Sequence, residues 1–208
     1  MATIVSKKFT DAPEEFLKKY VVKVADPAGK VNAITSTFDF VELIEGLDVA
    51  TLKETPTGLI KAHFLRWFTK EVTSMTLDST AEYFFTSQLT NCSFAVFGNA
   101  KTPTVYHSAG TIESTTIKKE KQKLVNPDKK LERRLSIGGA NSKADPHQYR
   151  GQDASVDPSS AFVYGIYKDD KWTFNSQIVA GNLEKFIPKK DGTVPQMKNP
   201  FSFKPWYD

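Results

Sequence analysis

Cysteine, histidine and long apolar runs are all scarce in this chain. One cysteine among 208 residues rules out an internal disulfide, and three scattered histidines argue against a zinc site built from Cys and His. No apolar run approaches the roughly 20 residues that a membrane-spanning helix needs. The N-terminal residues also lack the basic and apolar regions of a secretory signal peptide. These absences favour a protein that works in a reducing compartment.

The composition is that of one globular domain spanning residues 1–208. Hydrophobic residues make up 39% of the chain and aromatic residues 12%, which is enough for a buried core. Short β-branched and apolar segments dominate, and the few helical segments do not alternate with strands as repeated βαβ units. The sequence therefore predicts an α+β fold, with a mostly antiparallel β-sandwich or mixed sheet flanked by helices and long loops.

Individual elements can be placed from turn and capping signals. Helices are predicted at 14–20 after a capping Asp11, at 41–52, and at 79–89, where Ser79 and Glu82 match a capping box. Strands are predicted at 21–25, 31–40 and 59–68, together with a hairpin of 161–167 and 171–180. An irregular tail is expected from 199 onward.

The positive charge of the chain is concentrated in one segment. Residues 118–143 hold nine basic and three acidic residues, so they carry +6 while the rest of the chain sums to −2. Residues 118–160 are otherwise rich in turn formers and predict surface loops. This basic segment is either a solvated loop or a docking patch, for an acidic target surface or for RNA beside the target. The residues of that patch would be Lys118, Lys119, Lys121, Lys123, Lys129, Lys130, Arg133 and Arg134. It lacks the interleaved aromatics of single-strand binding, so nucleic acid is at most an indirect partner.

The single cysteine, Cys92, lies in a predicted hairpin with His107. Residues 92–97 and 102–107 read as strands joined by the turn Gly98–Lys101. Pairing Phe97 with Thr102 places Cys92 directly opposite His107, on the same face of the sheet.

This juxtaposition would suit nucleophilic catalysis. A neighbouring imidazolium lowers the pKa of a thiol, and the imidazole can then protonate a leaving group. Backbone N–H groups at the turn of Asn91 and Cys92 could form an oxyanion hole. The alternative is a small buried cysteine with no chemical role.

The local motif resembles a known family. Leu89-Thr-Asn-Cys92, a short strand, a turn and a strand ending in Tyr106-His107-Ser108 are similar to the glutamine deamidases formed by the Burkholderia lethal factor and the catalytic domains of the cytotoxic necrotizing factors. Residues 64–68 and 82–89 extend the similarity, which covers about residues 59–110. The family has glycine before the cysteine where this chain has Asn91, a residue that tolerates a left-handed backbone.

The resemblance implies a Cys–His–Thr site. Cys92 would be the nucleophile, His107 the acid and base, and Thr86 the residue that orients the histidine; the alternative for Thr86 is a helix threonine without a role. The implied reaction converts a protein glutamine to glutamate with release of ammonia and needs no cofactor.

The family also implies a setting for the reaction. The chain would be a monomeric bacterial toxin or effector, secreted or injected into the host cytosol, with no membrane partner. Its substrate would be a host protein, either an RNA-helicase translation initiation factor or a Rho-type GTPase.

Other interpretations of the same residues stay open. The Cys–His pair could serve a transglutaminase or a cysteine protease, or the chain could be a non-enzymatic binding module. His63 is expected in the core or on the surface and His147 in a solvated loop, while Trp67 and Trp172 are expected in the core.

Overall fold

The computed structural model describes residues 4–42, 49–89, 92–109, 135–136, 160–179 and 197–203. Within them the chain forms two helices, α1 (Ile4–Asp11) and α2 (Pro13–Lys19), followed by twelve strands. The strands are β1 (Val21–Val24), β2 (Ala33–Glu42), β3 (Val49–Glu54), β4 (Ile60–Leu65), β5 (Val72–Thr76), β6 (Tyr83–Thr86), β7 (Ser93–Phe97), β8 (Thr104–Ser108), β9 (Leu135–Ser136), β10 (Ser160–Lys168), β11 (Lys171–Val179) and β12 (Met197–Phe203).

The strands form two sheets, which confirms the α+β prediction. An eight-stranded sheet has the order β1-β3-β2-β4-β6-β10-β11-β12, and a four-stranded sheet has the order β5-β8-β7-β9. Most neighbouring strands are antiparallel, but β1 pairs with β3 and β4 pairs with β6 in parallel. The predicted hairpin of β10 and β11 is confirmed, with Lys168 paired to Lys171 across its turn.

One face of the large sheet packs against the two helices. Phe9 of α1 lies 4.8 Å from the ring of Phe40 and 5.2 Å from that of Tyr83, and Phe16 of α2 also lies 4.8 Å from Phe40. Burying such aromatic side chains is the main favourable contribution to folding. This layer explains why the helices end up on one side of the sheet.

The four-stranded sheet belongs to a second apolar cluster, on the opposite face of the large sheet. Phe94 of β7 lies 5.6 Å from the ring of Phe84 in β6 and 6.0 Å from that of Phe174 in β11. Cys92 and Leu65 are members of this cluster. The candidate site therefore lies where the two sheets meet.

The predicted helix at 79–89 is wrong. Residues 83–86 form β6, which lies between β4 and β10 and is buried along its whole length. Tyr83 and Phe85 belong to the helix-side cluster and Phe84 to the other cluster. A strand with apolar residues on both faces reads as a continuous apolar run, which spacing alone does not distinguish from a helix.

Three further predictions need correction. The segment 41–52 is not a helix in its described part, because it holds the end of β2 and most of β3, whose Val49 and Leu52 are buried between neighbouring strands. The tail is not irregular throughout, since β12 pairs with β11. The N-cap of α2 is Ala12 rather than Asp11, and no side chain caps this helix. Asp11 is instead the last residue of α1, a helix that the sequence did not predict.

The buried side chain of Gln177 joins the N-terminal elements to a strand late in the chain. The side chain of Gln177 in β11 accepts a hydrogen bond from Val22 N (2.9 Å) and donates to the carbonyl oxygens of Leu17 and Tyr20 (2.7 Å each). These contacts satisfy the backbone where α2 passes into β1. They fix the helical layer to a strand near the far end of the sequence.

Candidate active site

The hairpin that carries Cys92 and His107 exists, but its register differs from the prediction. Phe97 pairs with Thr104 and Phe94 with His107. Cys92 precedes the first ladder residue of β7, Ser93, which pairs with Ser108. The prediction that Cys92 lies directly opposite His107 is therefore wrong by two positions.

The turn accounts for the shift. Gly98 adopts a left-handed backbone with φ of 94°, and the Asn99 side chain accepts hydrogen bonds from Lys101 N (3.0 Å) and Thr102 N (2.9 Å). An asparagine that binds the backbone two and three residues ahead keeps those residues in the turn. Pro103 follows with no N–H to give to a ladder, so pairing begins only at Thr104.

A shift of two residues preserves the face on which side chains point. Residues 92, 94 and 96 are buried, and along β8 buried residues at 105, 107 and 109 alternate with partly buried ones. Continuing the ladder by one residue puts Cys92 opposite Ala109 and diagonal to His107. Diagonal neighbours are about 7–8 Å apart at the backbone and within reach of long or aromatic side chains. Cys92 and His107 thus share one face of the small sheet.

Thr86 lies on the facing sheet and contacts His107. Its Oγ1 is 2.7 Å from His107 Nδ1 and 2.8 Å from the carbonyl oxygen of Leu65. A carbonyl can only accept, so the single hydroxyl hydrogen of Thr86 goes to Leu65 and its oxygen must accept from Nδ1. This chain fixes the protonated nitrogen of His107 as Nδ1 and leaves the lone pair on Nε2.

His107 is fully buried, and its Nε2 has no hydrogen-bond partner in the described part of the chain. Burial disfavours the charged ring and lowers its pKa from 6.5 to about 3. The expected imidazolium is therefore not its resting form at neutral pH. A neutral ring with an unused lone pair is a base, and it lies on the face that also carries Cys92, which is 5% exposed.

Residues 65–67, at the end of β4 and just beyond it, connect the elements of the site. The carbonyl oxygen of Arg66 accepts from Thr73 Oγ1 at 2.6 Å, and Thr73 pairs with His107 across β5 and β8. The backbone N–H of Trp67 donates to Ser87 Oγ at 2.9 Å. Sequence analysis gave no role to Thr73 or Ser87, since short polar residues carry no signal until the pairing of strands is known.

Of the other residues singled out from the sequence, the structure describes some and not others. His63 is buried at 2% exposure, Trp172 is fully buried, and Trp67 is partly buried against the cluster that contains Cys92. Asn91, His147 and the predicted docking residues of the basic segment lie outside the described residues. Within the predicted loop region, the backbone at 135–136 instead forms β9, which pairs with Ser93 and Phe94 beside Cys92.

Among the described residues, no group of three or more His, Cys, Asp or Glu side chains is placed to hold a metal ion. Nor does the described part of the chain contain a helix long and apolar enough to cross a membrane.

No protein-family model matches the chain, and a search of curated proteins found no match. The similarity of residues 59–110 to glutamine deamidases therefore stays a prediction from their sequence.

Proposed function

We propose that the protein is a glutamine deamidase that acts on a side-chain carboxamide of another protein. The observation that carries this proposal is the hydrogen-bonded chain from Leu65 through Thr86 to His107, which leaves Nε2 as a buried base on the face of Cys92. A cysteine nucleophile requires a base within its reach, and the negative charge that forms on the sulfur as its proton moves would raise the pKa of the ring from the low value that burial sets.

The reaction would proceed in two halves. His107 Nε2 takes the proton of the Cys92 thiol as the sulfur attacks the carboxamide carbon, and a tetrahedral oxyanion forms. The ring then gives that proton to the amide nitrogen and the carbon–nitrogen bond breaks. Ammonia departs, and the substrate stays bound to Cys92 as a thioester. Water, deprotonated by Nε2, cleaves the thioester, so glutamine and water become glutamate and ammonia while the thiol is restored.

Thr86 would keep the base in the productive tautomer throughout. If Nε2 rather than Nδ1 carried the proton, the ring could not accept the thiol proton. One partner of Thr86 is the backbone carbonyl of Leu65 and the other is the buried ring of His107. Thr86 itself is 0% exposed. The hydroxyl is therefore a positioning group rather than a nucleophile.

Burial of the pair favours deamidation over proteolysis. Cys92 is 5% and His107 0% exposed, so only a thin group can approach them. The glutamine side chain is unbranched and carries its amide at the end, whereas a peptide bond to be cleaved is flanked by chain on both sides. By resemblance, the candidate substrates are a host RNA-helicase initiation factor and a Rho-type GTPase.

The proposal can be tested with the whole protein and its Cys92→Ser variant. Each is incubated with candidate host proteins, and ammonia release and the intact mass of the target are measured. We expect ammonia and the mass change of one amide becoming an acid, with wild type only. New chain termini would instead indicate a protease, and incorporation of an added primary amine would indicate a transglutaminase. Modification by the Cys92→Ser variant at the wild-type rate would refute the proposed nucleophile.

A further inference from the structure

In the segment that connects the elements of the site, Trp67 has a buried polar atom with no partner among the described residues. Trp67 is partly buried, but its indole Nε1 is enclosed and has no hydrogen-bond partner among the described residues. A buried N–H with no acceptor costs free energy, and native structures rarely leave one so. Such an atom needs an explanation.

The position of Trp67 connects it to the catalytic candidates. Residues 65–67 contact Thr86 through the Leu65 carbonyl and Thr73 through the Arg66 carbonyl. Trp67 itself donates its backbone N–H to Ser87, the neighbour of Thr86. Its side chain packs against the apolar cluster of which Cys92 is a member.

The two unpartnered atoms have complementary roles. Trp67 Nε1 is a donor and never an acceptor, whereas His107 Nε2 in the tautomer fixed by Thr86 is an acceptor. A primary carboxamide has a carbonyl oxygen that accepts and an amino group that donates. A carboxamide therefore carries the complement of each of these atoms, which neither an ester nor a carboxylate does.

We propose that the indole N–H of Trp67 binds the carbonyl oxygen of the substrate carboxamide and stabilises the negative charge that forms on it during attack by Cys92. This assignment rests on the proposed deamidase function and adds a side-chain donor to the backbone donors expected at Asn91 and Cys92. A donor held in a water-poor cluster acts strongly on a developing oxyanion because nothing screens it. The carbonyl oxygen is thereby oriented as well as stabilised.

The test uses small alkylating reagents, because Cys92 is the only thiol. Iodoacetamide carries a primary carboxamide, and methyl iodide carries no hydrogen-bonding group. The second-order rate of alkylation of Cys92 is measured with each reagent in wild type and in Trp67→Phe, which retains an aromatic ring and loses the N–H. A variant with benzothienylalanine at position 67 keeps the full shape of tryptophan and also lacks the N–H.

Loss of the indole N–H should slow alkylation only by the reagent that carries a carboxamide. We expect iodoacetamide to react roughly 10-fold more slowly in both variants, as for loss of one buried hydrogen bond, with the methyl iodide rate unchanged. Unchanged rates with both reagents, or an equal fall with both, would overturn the proposal, since an equal fall would reflect packing or access. The benzothienylalanine variant separates these outcomes even if Trp67→Phe fails to fold.

Deamidation supplies an independent measurement. On a protein substrate, the same variants should lose roughly 10²-fold in kcat, as when an oxyanion donor is removed, and Cys92→Ser should lose all activity. Ammonia release by wild type with no effect of the variants would overturn the Trp67 assignment and leave the deamidase standing. A selective fall in iodoacetamide rate without ammonia release from any target would leave the donor standing and overturn the deamidase.

Discussion

Two buried histidines in this molecule have similar surroundings and opposite chemistry. His107 places Nδ1 2.7 Å from the hydroxyl of Thr86, and His63 places Nδ1 2.8 Å from that of Thr35. Each pair joins two strands. The difference lies in where the threonine hydrogen goes and in what meets the second ring nitrogen.

At His63 both nitrogens are used. Its Nε2 lies 3.2 Å from both the carbonyl oxygen and the carboxylate Oδ1 of Asp78, and both of these atoms can only accept. In the neutral ring Nε2 therefore carries the proton, and Nδ1 accepts from Thr35. The lone pair of His63 is thus occupied by an exposed threonine, and the residue is a structural bridge.

At His107 the carbonyl of Leu65 reverses this arrangement. By accepting the hydroxyl hydrogen of Thr86, it turns the threonine into an acceptor and moves the histidine lone pair to Nε2. The same two residue types therefore give a fully bonded bridge at one place and an unused base at the other. Two contacts make the difference: the Leu65 carbonyl that accepts from Thr86, and the oxygens of Asp78 that meet Nε2 of His63.

Replacing each histidine tests this comparison most severely. On the protein substrate, His107→Gln should lower kcat/KM for ammonia release by about 10³-fold because the acid and base are lost. His63→Gln should change it by less than a factor of about 3, although its melting temperature should fall. The assay is run at a temperature at which circular dichroism shows both variants folded. An equal loss in the folded His63 variant would mean that the wrong histidine has been assigned.

Replacing each threonine by valine probes how the tautomer is set. Thr86→Val leaves Ser87 N still bonded to Leu65 O at 3.1 Å, so the strand pairing is kept. The Nδ1 proton then has no acceptor, and we expect kcat to fall roughly 10²-fold with little change in KM.

The readout specific to this role is the ¹⁵N spectrum of the histidine rings. It should report a proton on Nδ1 of His107 and on Nε2 of His63 in wild type, and a changed signal for His107 in Thr86→Val. Thr86→Ser should restore both the signal and the rate, while Thr35→Val should leave kcat unchanged. Wild-type kcat in Thr86→Val would remove the positioning role.

Acid should destabilise the protein in part through His107. Its pKa is 6.5 in the unfolded chain and about 3 when folded, so the unfolded state binds more protons between these values. The contribution of His107 to stability is therefore complete above pH 6.5 and is lost as the pH falls toward 3.

Urea unfolding at several pH values measures this effect. Between pH 4 and 6, the free energy of unfolding of wild type should fall more steeply than that of His107→Gln, by up to about 1.4 kcal/mol per pH unit. Parallel slopes would show that the ring is not held neutral in the folded state.

The smallest effect is expected at Asp78. Hydrogen bonds from Thr80 hold the pKa of its carboxyl below the usual value, with a smaller contribution from His63. Its side chain is 56% exposed, so solvent screens its interaction with the ring. Asp78→Asn should cost less than about 1 kcal/mol in unfolding free energy and leave kcat/KM unchanged. A fall in kcat/KM would show that the contact between Asp78 and His63 affects the catalytic residues, contrary to this assignment.

The parts of this arrangement that could be predicted were local ones. The hairpin of β10 and β11, the strands β1, β2 and β4, and the shared face of Cys92 and His107 follow from alternation and turn residues. The register of β7 and β8 did not follow, because it depends on the Asn99 side chain holding Thr102 in the turn. The sequence of β6 predicts a helix because the burial of this strand on both faces depends on strands distant in sequence.

The tautomer of His107 lay further beyond prediction. It depends on the parallel pairing of Leu65 with Thr86, which brings a backbone carbonyl to the threonine. No spacing of residue types encodes that contact. The unpartnered N–H of Trp67 could not be predicted either. A tryptophan in an apolar stretch predicts only a core residue, and the partners of its N–H depend on neighbours that the sequence does not show.

The glutamine that joins β11 to the helical layer has a consequence for the order of folding. Gln177 lies 155 positions after Val22 and 160 after Leu17, so its three hydrogen bonds close very long loops. Closing such loops is entropically unfavourable, and contacts of this separation form slowly. During synthesis, the backbone groups of Leu17, Tyr20 and Val22 must wait until residue 177 has been made before this side chain can satisfy them. We expect the hairpin of β7 and β8, whose contacts are local, to assemble before the N-terminal layer is fixed.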